Sequence, residues 1–282
     1  MIALAFEERD RLPLSRLARL FRFSRTEFYR RTSGDRDRLL RDAIHAIALD
    51  WPCYGYRTIT HELRRQNWVI NEKRTRRLMR EESLVCRPSK HRGLKYRKHQ
   101  HTPYPNLTRD FVLDRIDQLW VADFTYVRFR GRFIFVAFIV DAFSRRCLGW
   151  SIMPHFRSSL VIGALRMALA NRAPTAGFIH HSDRGGEYFD TDYLALLKDH
   201  GAQISMSRPA TPSDNPKIER FIRTIKSEEV YLRDYADFDQ ALRSIVRFIH
   251  RYNDRRLHSA LGYRPPTEFE RVYQQRQLPA PA

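Results

Sequence analysis

Apolar residues along the chain change their spacing twice, and the changes divide it into segments. Leu14, Leu17, Ala18 and Phe21 recur at helical spacing, and Ser24-Arg25-Thr26-Glu27 reads as a capping box that satisfies amide donors at a helix start. This spacing predicts a short helix, a turn and an arginine-rich second helix, a helix-turn-helix-like segment over residues 1–50. A second such unit is expected over residues 51–86. There Tyr56 to Arg65 carries Ile59 and Leu63 on one face, and Asn71 caps a helix from Glu72 to about Glu82 with Leu78 and Met79 inward.

From residue 114 the period shortens. Gln118 to Arg128 reads as a strand, Gly131 and Arg132 as a turn, Phe133 to Asp141 as a buried strand and Arg146 to Met153 as a third. An apolar-periodic helix over Ser158 to Ala170 follows, then a strand from Gly177 to Ser182, a helix over Asp192 to His200 and a short strand over Gln203 to Ser205. Ser207 to Asp214 reads as a loop, and helices are expected around Lys217–Glu229 and Phe238–Tyr252. Hairpin strands followed by alternating helix and strand predict an α/β domain over residues 114–282, a mixed sheet with helices on its faces and a helical tail.

Charge gives the segments different tasks. The 282 residues are 43% apolar, enough for a core, yet carry a formal charge of +19. Residues 1–110 hold 26 Lys and Arg against 13 Asp and Glu, so the excess sits at the front of the chain. A polyanionic partner follows from that balance. Residues 87 to 109 contain seven Lys or Arg and no acid, the composition of a basic linker assigned to 87–113. The helix after Asn71 carries Lys73, Arg74, Arg76, Arg77 and Arg80, five cations suited to phosphates; Arg25 and Arg30 are further candidates for DNA contact.

Other classes recede. Cys53, Cys86 and Cys147 form no CxxC pair, which argues against a disulfide framework and fits a reducing cytoplasm. The opening Met1 to Phe6 meets Glu7-Glu8 too soon for a secretory h-region, and the longest apolar run, Phe133 to Val140, is too short for a membrane span. A soluble cytoplasmic protein is expected.

The chemistry resides in three acids. Asp123 lies in the first strand and Asp183 at the end of the fourth, while Glu219 follows Asp183 after 35 intervening residues. Adjacent parallel strand ends bring two carboxylates close together, where they repel unless cations join them. With Pro216 first in its helix after Asn215, Glu219 falls about one turn in. Ile218, Ile222 and Ile225 then face the core, and Glu219, Arg223 and Lys226 share another stripe. Acid for metal and base for phosphate lie on one line, the arrangement a pair of hard divalent cations needs to clamp a phosphodiester.

Each acid taken alone has an ordinary structural role. Asp141 is read as a turn cap and Asp214 as a loop former. A zinc site on His180, His181 and Asp183 is disfavoured because adjacent residues of a strand point to opposite faces.

The joint pattern resembles the DDE transposase and retroviral-integrase superfamily, and more closely the OrfB-type transposases of the IS-three family of bacterial insertion sequences. The resemblance rests on Asp123, Asp183, Glu219 and Lys226, with Tyr54-Gly55-Tyr56-Arg57, Trp120-Val121-Ala122-Asp123-Phe124-Thr125-Tyr126 and His181-Ser182-Asp183-Arg184-Gly185. Asp214-Asn215 and the tail from Tyr252-Asn253 to Arg264-Pro265-Pro266 add to it. Pro216 replaces a small residue, and Glu187 stands where the family often has an amide.

The resemblance implies a ribonuclease H-like fold and a bacterial, nucleoid-associated enzyme that nicks insertion-sequence ends. It would then join the 3′-hydroxyl to target DNA. Asp123, Asp183 and Glu219 would hold two Mg²⁺ ions, with Mn²⁺ as a substitute, and Lys226 and Arg223 would position phosphates. Terminal inverted repeats and target DNA are the expected partners, along with a homo-oligomer on DNA and an upstream OrfA-type reading-frame product. The alternative is a DNA-binding regulator of transposition that lacks catalysis of its own.

Overall fold

The structure, a computed structural model, describes residues 13–22, 25–84, 104–208, 211 and 214–277, without the side chains of Leu14 and residues 25–36. Ser24 and the side chain of Glu27, the two ends of the capping box, and most of the 87–113 linker lie outside the description. The chain divides into two compact units, Met1–Arg87 and Pro88–Ala282.

The first unit is helical: α1 (Leu14–Leu20), α2 (Arg25–Asp50), α3 (Tyr56–Arg65) and α4 (Glu72–Glu81). Helix α2 packs on both α3 and α4, so the helices before and after residue 51 share one core. Its buried Leu40, Ile44 and Ile47, with Ile59, Leu63, Leu78 and Met79 of the later helices, recur at the spacing that turns one helical face inward. Asn71 caps α4, its side chain accepting the Arg74 N–H at 2.9 Å.

The second unit is a five-stranded sheet with helices on both faces. Strands β1 (Leu119–Phe129), β2 (Arg132–Asp141), β3 (Cys147–Met153), β4 (Ile179–Ser182) and β5 (Gln203–Met206) lie in the order β3-β2-β1-β4-β5. The first three form antiparallel hairpins; β4 and β5 join in parallel. This mixed, ribonuclease H-like sheet carries α5 (Ser158–Asn171) and α6 (Thr191–Asp199) on one face. Trp120, Ala122, Ala137, Ile139 and Leu148 of the strands meet Leu160, Ala164, Leu165 and Ala168 of α5 there.

The odd-numbered residues of β1 point the other way, where α7 (Pro216–Glu228) and α8 (Phe238–Asp254) pack. Phe138, opposite Asp123 in the β1–β2 ladder, meets Phe221 of α7 with ring centres 5.0 Å apart. Helix α9 (Pro266–Gln277) ends the described chain. It is clasped through buried Glu270, which accepts from Ser144 Oγ at 2.7 Å and from Arg146 at 2.6 Å and also pairs with Arg172. The turn after β2 is capped by Asp141, as its sequence context suggests. Its carboxylate accepts from the N–H groups of Asp117, Phe143 and Ser144 at 2.8, 3.0 and 2.6 Å.

Two outcomes follow. A Cβ on Gly149 would stand 2.2 Å from the Ala164 carbonyl and 2.6 Å from the Ala168 nitrogen, because α5 rests its backbone directly on β3. Gly149→Ala is therefore expected to cost about 1–3 kcal/mol in urea unfolding, the usual penalty of overpacking. Burial raises the Asp141 carboxyl to about 6 although the N–H groups of Ser144 and Asp117 oppose the shift. With the folded value raised, its contribution to stability is full below about pH 4 and is lost as the pH rises through 6. Carbon-13 NMR should find this carboxyl titrating near 6 rather than in the ordinary carboxylate range.

Candidate active site

β1 and β4 run parallel with Val121 opposite His181. Asp123 lies two residues further along β1, and Asp183 lies just past the end of β4. Strand alternation directs the Asp123 carboxylate to the α7 face. β4 stops at Ser182 whereas β1 continues to Phe129, so among the described residues the β1 edge beyond Asp123 has no strand beside it on that side. Each carboxylate accepts from a backbone N–H close by in the chain. The Phe124 N–H donates to Asp123 Oδ1 at 2.8 Å, and the Gly185 N–H donates to Asp183 Oδ1 at 2.9 Å.

Helix α7 brings the third acid. It is tethered to β1 at two points: Asn215 Nδ2 donates to the Ala122 carbonyl at 3.2 Å, and the Lys226 ammonium lies 5.1 Å from the centre of the Tyr126 ring. Glu219, in the first turn of α7, stands between these anchors on the Lys226 side. Asn215 occupies the N-cap position before Pro216, as expected, but its side chain makes no capping bond. Buried against the sheet, it has been recruited to hold the helix on β1. Asp214 shapes the preceding loop, gripping Arg208 through its backbone N–H at 2.9 Å and through the guanidinium at 3.0 and 2.9 Å.

The electrostatics centre on Tyr188, which the sequence reading did not single out. Its ring is buried, its hydroxyl has no hydrogen-bond partner among the described residues, and burial together with Asp123, Tyr193, Asp183 and Glu187 holds the phenol protonated. Glu187 is close by: a Cβ on Gly185 would lie 2.7 Å from Glu187 Oε2 and 3.1 Å from Asp183 Oδ1. Burial lowers the pKa of the Lys226 ammonium, and the charge of Asp123 opposes that shift.

The acidic donor set is all oxygen and fits a hard divalent cation, and the unpartnered Tyr188 hydroxyl lies within the field of Asp123 and Asp183. Among the described residues, no three carboxylate, imidazole or thiol groups stand close enough to enclose one ion, so Asp123, Asp183 and Glu219 are not gathered into one set of ligands. The histidines beside Asp183 serve the fold. His181 is held between Ser205 Oγ at 2.8 Å and Ser207 Oγ at 3.0 Å, while His180 points to the other face and bonds the Tyr193 hydroxyl at 2.9 Å. Burial pushes their pKa values down, to about 4 and about 3 respectively.

The cations assigned to DNA divide by surroundings. Arg223 is exposed on the Glu219 side of α7. On α4, Lys73 is exposed, whereas Arg74 and Arg77 turn to Asp37 of α2, donating at 3.1 and 3.2 Å; Arg77 also donates to Glu81 at 2.7 Å. Arg57 and Arg76 bracket the Tyr56 ring, each 5.5 Å from its centre. Arg25 and Arg30 lie on α2 with side chains outside the description.

Comparison with known proteins completes the description. Two family models described as an integrase core domain match residues 114–212 and 200–266, and one described as an HTH-like domain matches residues 35–92. The chain is 32% identical over 221 residues to the transposase for insertion sequence element IS904 of Lactococcus lactis, a match covering 77% of this chain and 87% of that one. It is 33% identical to the transposase for IS629 of Shigella sonnei, over 78% of this chain and 74% of that one. It is also 33% identical to transposase InsF for IS3A of Escherichia coli K12, over 77% and 76%.

An unpartnered buried hydroxyl carries a desolvation cost that a phenyl ring lacks. Tyr188→Phe should therefore leave unfolding in urea unchanged or raise stability by up to about 1 kcal/mol in metal-free buffer. A loss of that size would show that the hydroxyl has a partner.

Proposed function

The chain belongs to the IS3-type insertion-sequence transposases, DDE enzymes with an integrase core, and from that premise we propose how its acids and cations act on DNA. It nicks the ends of a DNA element and joins the freed 3′-hydroxyl to target DNA, with Asp123, Asp183 and Glu219 as the catalytic acids. The observation that carries this reading is the parallel pairing of β1 and β4, with Asp123 just beyond the ladder on β1 and Asp183 just past the end of β4, beside a helix pinned to β1 on both sides of Glu219.

In the first step water attacks the phosphorus at the element's end, the bond to the 3′ oxygen breaks, and that oxygen leaves as a hydroxyl. In the second, this 3′-hydroxyl attacks a target phosphodiester; one P–O bond forms as another breaks, and the displaced oxygen takes up the proton. Neither step requires an oxidant, a nucleotide or a covalent bond to the protein. A pair of divalent cations held by Asp123, Asp183 and Glu219, Mg²⁺ or Mn²⁺, would supply the Lewis acidity that activates the attacking oxygen and stabilises the departing one.

The chain's own residues do the positioning. Lys226, half-buried and electrostatically coupled to Asp123, is placed to hold a phosphate beside the acids, and exposed Arg223 extends that line along α7. In the N-terminal unit, the HTH-like helices grip DNA, with Lys73 free to meet phosphates and Arg25 and Arg30 as further contacts. Arg74 and Arg77 would first exchange Asp37 for a phosphate. Joining two DNA ends calls for more than one copy of the chain, and an upstream OrfA-type product would add a further DNA-binding segment.

A strand-transfer assay with Mg²⁺ tests the acids. Asp183→Asn and Glu219→Gln are each expected to lower joining about a thousandfold, some 4 kcal/mol of transition-state stabilisation, while DNA binding persists. Joining retained in both variants would overturn the assignment. DNA binding by the unmodified chain without metal-dependent nicking would instead mark a regulator.

A further inference from the structure

Helix α7 has two polar flanks. Glu219, Arg223 and Lys226 occupy one; Lys217 and Arg220 lie on the other, across the buried ridge of Ile218, Phe221, Ile222 and Ile225. Three elements meet at this second flank. The turn after β2 presents Arg145 in the left-handed region at φ 65°, its N–H bonded to the Asp141 carbonyl at 2.9 Å. Asn253 fastens the start of β3 to α8 by a reciprocal pair: the Cys147 N–H donates to its Oδ1 and its Nδ2 donates to the Cys147 carbonyl, both at 2.9 Å. The adjacent Tyr252 ring packs edge-on against Phe221 of α7 at 4.7 Å and against His258 at 4.8 Å.

Positive charge accumulates there without relief. Arg145 and Arg220 lie within electrostatic reach of Lys217. The pKa of His258 is pushed down by burial, then by Arg256, Arg145 and Arg220. Elsewhere in this unit, arginines are matched with buried acids. Glu228 accepts from Arg256 at 2.8 and 2.6 Å, and Glu270 holds Arg146 and Arg172. Among the described residues, no carboxylate forms an ion pair with Arg145, Lys217 or Arg220; Asp141, which faces Arg145, is occupied by three backbone N–H groups. The buried Nε2 of His258 has no partner either. The first turn of α7 adds the positive end of its dipole.

We infer that Arg145, Lys217, Arg220 and His258 form a second DNA-phosphate site, separated from the acids by the width of α7, so that DNA engages both flanks of this helix. The inference rests on DNA being the substrate. Like charges held together without a counterion destabilise the fold, and a phosphodiester supplies the missing negative charge and hydrogen-bonding oxygens. The half-exposed setting of Lys217 and the exposure of Arg220 leave room for a backbone to approach.

The test is binding of a fluorescein-labelled duplex to the full chain in EDTA, from about 50 to 200 mM KCl. The double variant Lys217→Gln, Arg220→Gln should bind more weakly, with a log–log salt slope about 2 units shallower, as for two lost phosphate contacts. Arg220→Lys, which keeps the charge, should retain the slope. An unchanged slope in the double variant overturns the site, as does an equal loss in Arg220→Lys, which would make the effect one of shape. If the unmodified chain fails to bind duplex DNA, the DNA reading itself falls; binding with an unchanged slope removes this site alone.

Discussion

Parallel pairing of β1 with β4, Val121 opposite His181, governs where each group near the site is found. Because side chains alternate along a strand, a slip of one residue would exchange the places of His180 and His181 and shift the backbone that leads into Asp183. The register is secured from both faces. His180 bonds Tyr193 of α6 on one side, while His181 bonds Ser205 of β5 and Ser207 just beyond it on the other. Two buried histidines, held neutral by desolvation, therefore fix the strand that leads into Asp183. The short β4 adds the second condition, since its end leaves one edge of β1 open beside Asp123.

Helix α7 is the counterpart of that register. Apolar packing of Phe221 on Phe138 fixes its distance from the sheet, but packing alone would tolerate sliding along the strand. The Asn215–Ala122 bond and the Lys226–Tyr126 contact provide the longitudinal stops. Between the stops the helix spans roughly 16 Å and the strand roughly 13 Å, so the two run nearly alongside. Glu219 is thus carried on an element held at both ends.

The charge distribution separates structure from function in the same unit. Glu228 and Glu270 are buried and bound to arginines, tying α7 to the segment after α8 and α9 to the β2–β3 turn. Removing either acid would strand a buried guanidinium, so these pairs hold their elements firmly whatever their net contribution to stability. The acids near the sheet's open edge are arranged differently: Asp123 and Asp183 each commit one oxygen to a backbone N–H, and both charges act on the protonated phenol of Tyr188.

Local pattern carried much of this into the sequence. Residue spacing marked the strands and most of the helices of the second unit, Asn71 as a cap, Asp141 as a turn former and Asp214 as a loop former, because each depends on neighbours a few positions away. The spacing of Asp123, Asp183, Glu219 and Lys226 likewise selected the residues of interest. Helix α9 escaped notice, since its anchor is a single buried Glu270 whose partners lie about a hundred positions or more away. Asn215 was legible as a helix start but not as a tether to Ala122. The engagement of Arg74 and Arg77 by Asp37, the orphaned Tyr188 hydroxyl and the gathering of Arg145 with Lys217 and Arg220 were likewise invisible. Sequence by itself determined which chemistry the chain carries and which faces its elements bury, because periodicity and motif spacing are properties of the local backbone. Only the tertiary structure decided which charges are matched and which are left over, because pairing is settled by approach in space between residues whose separation along the chain says nothing of their distance.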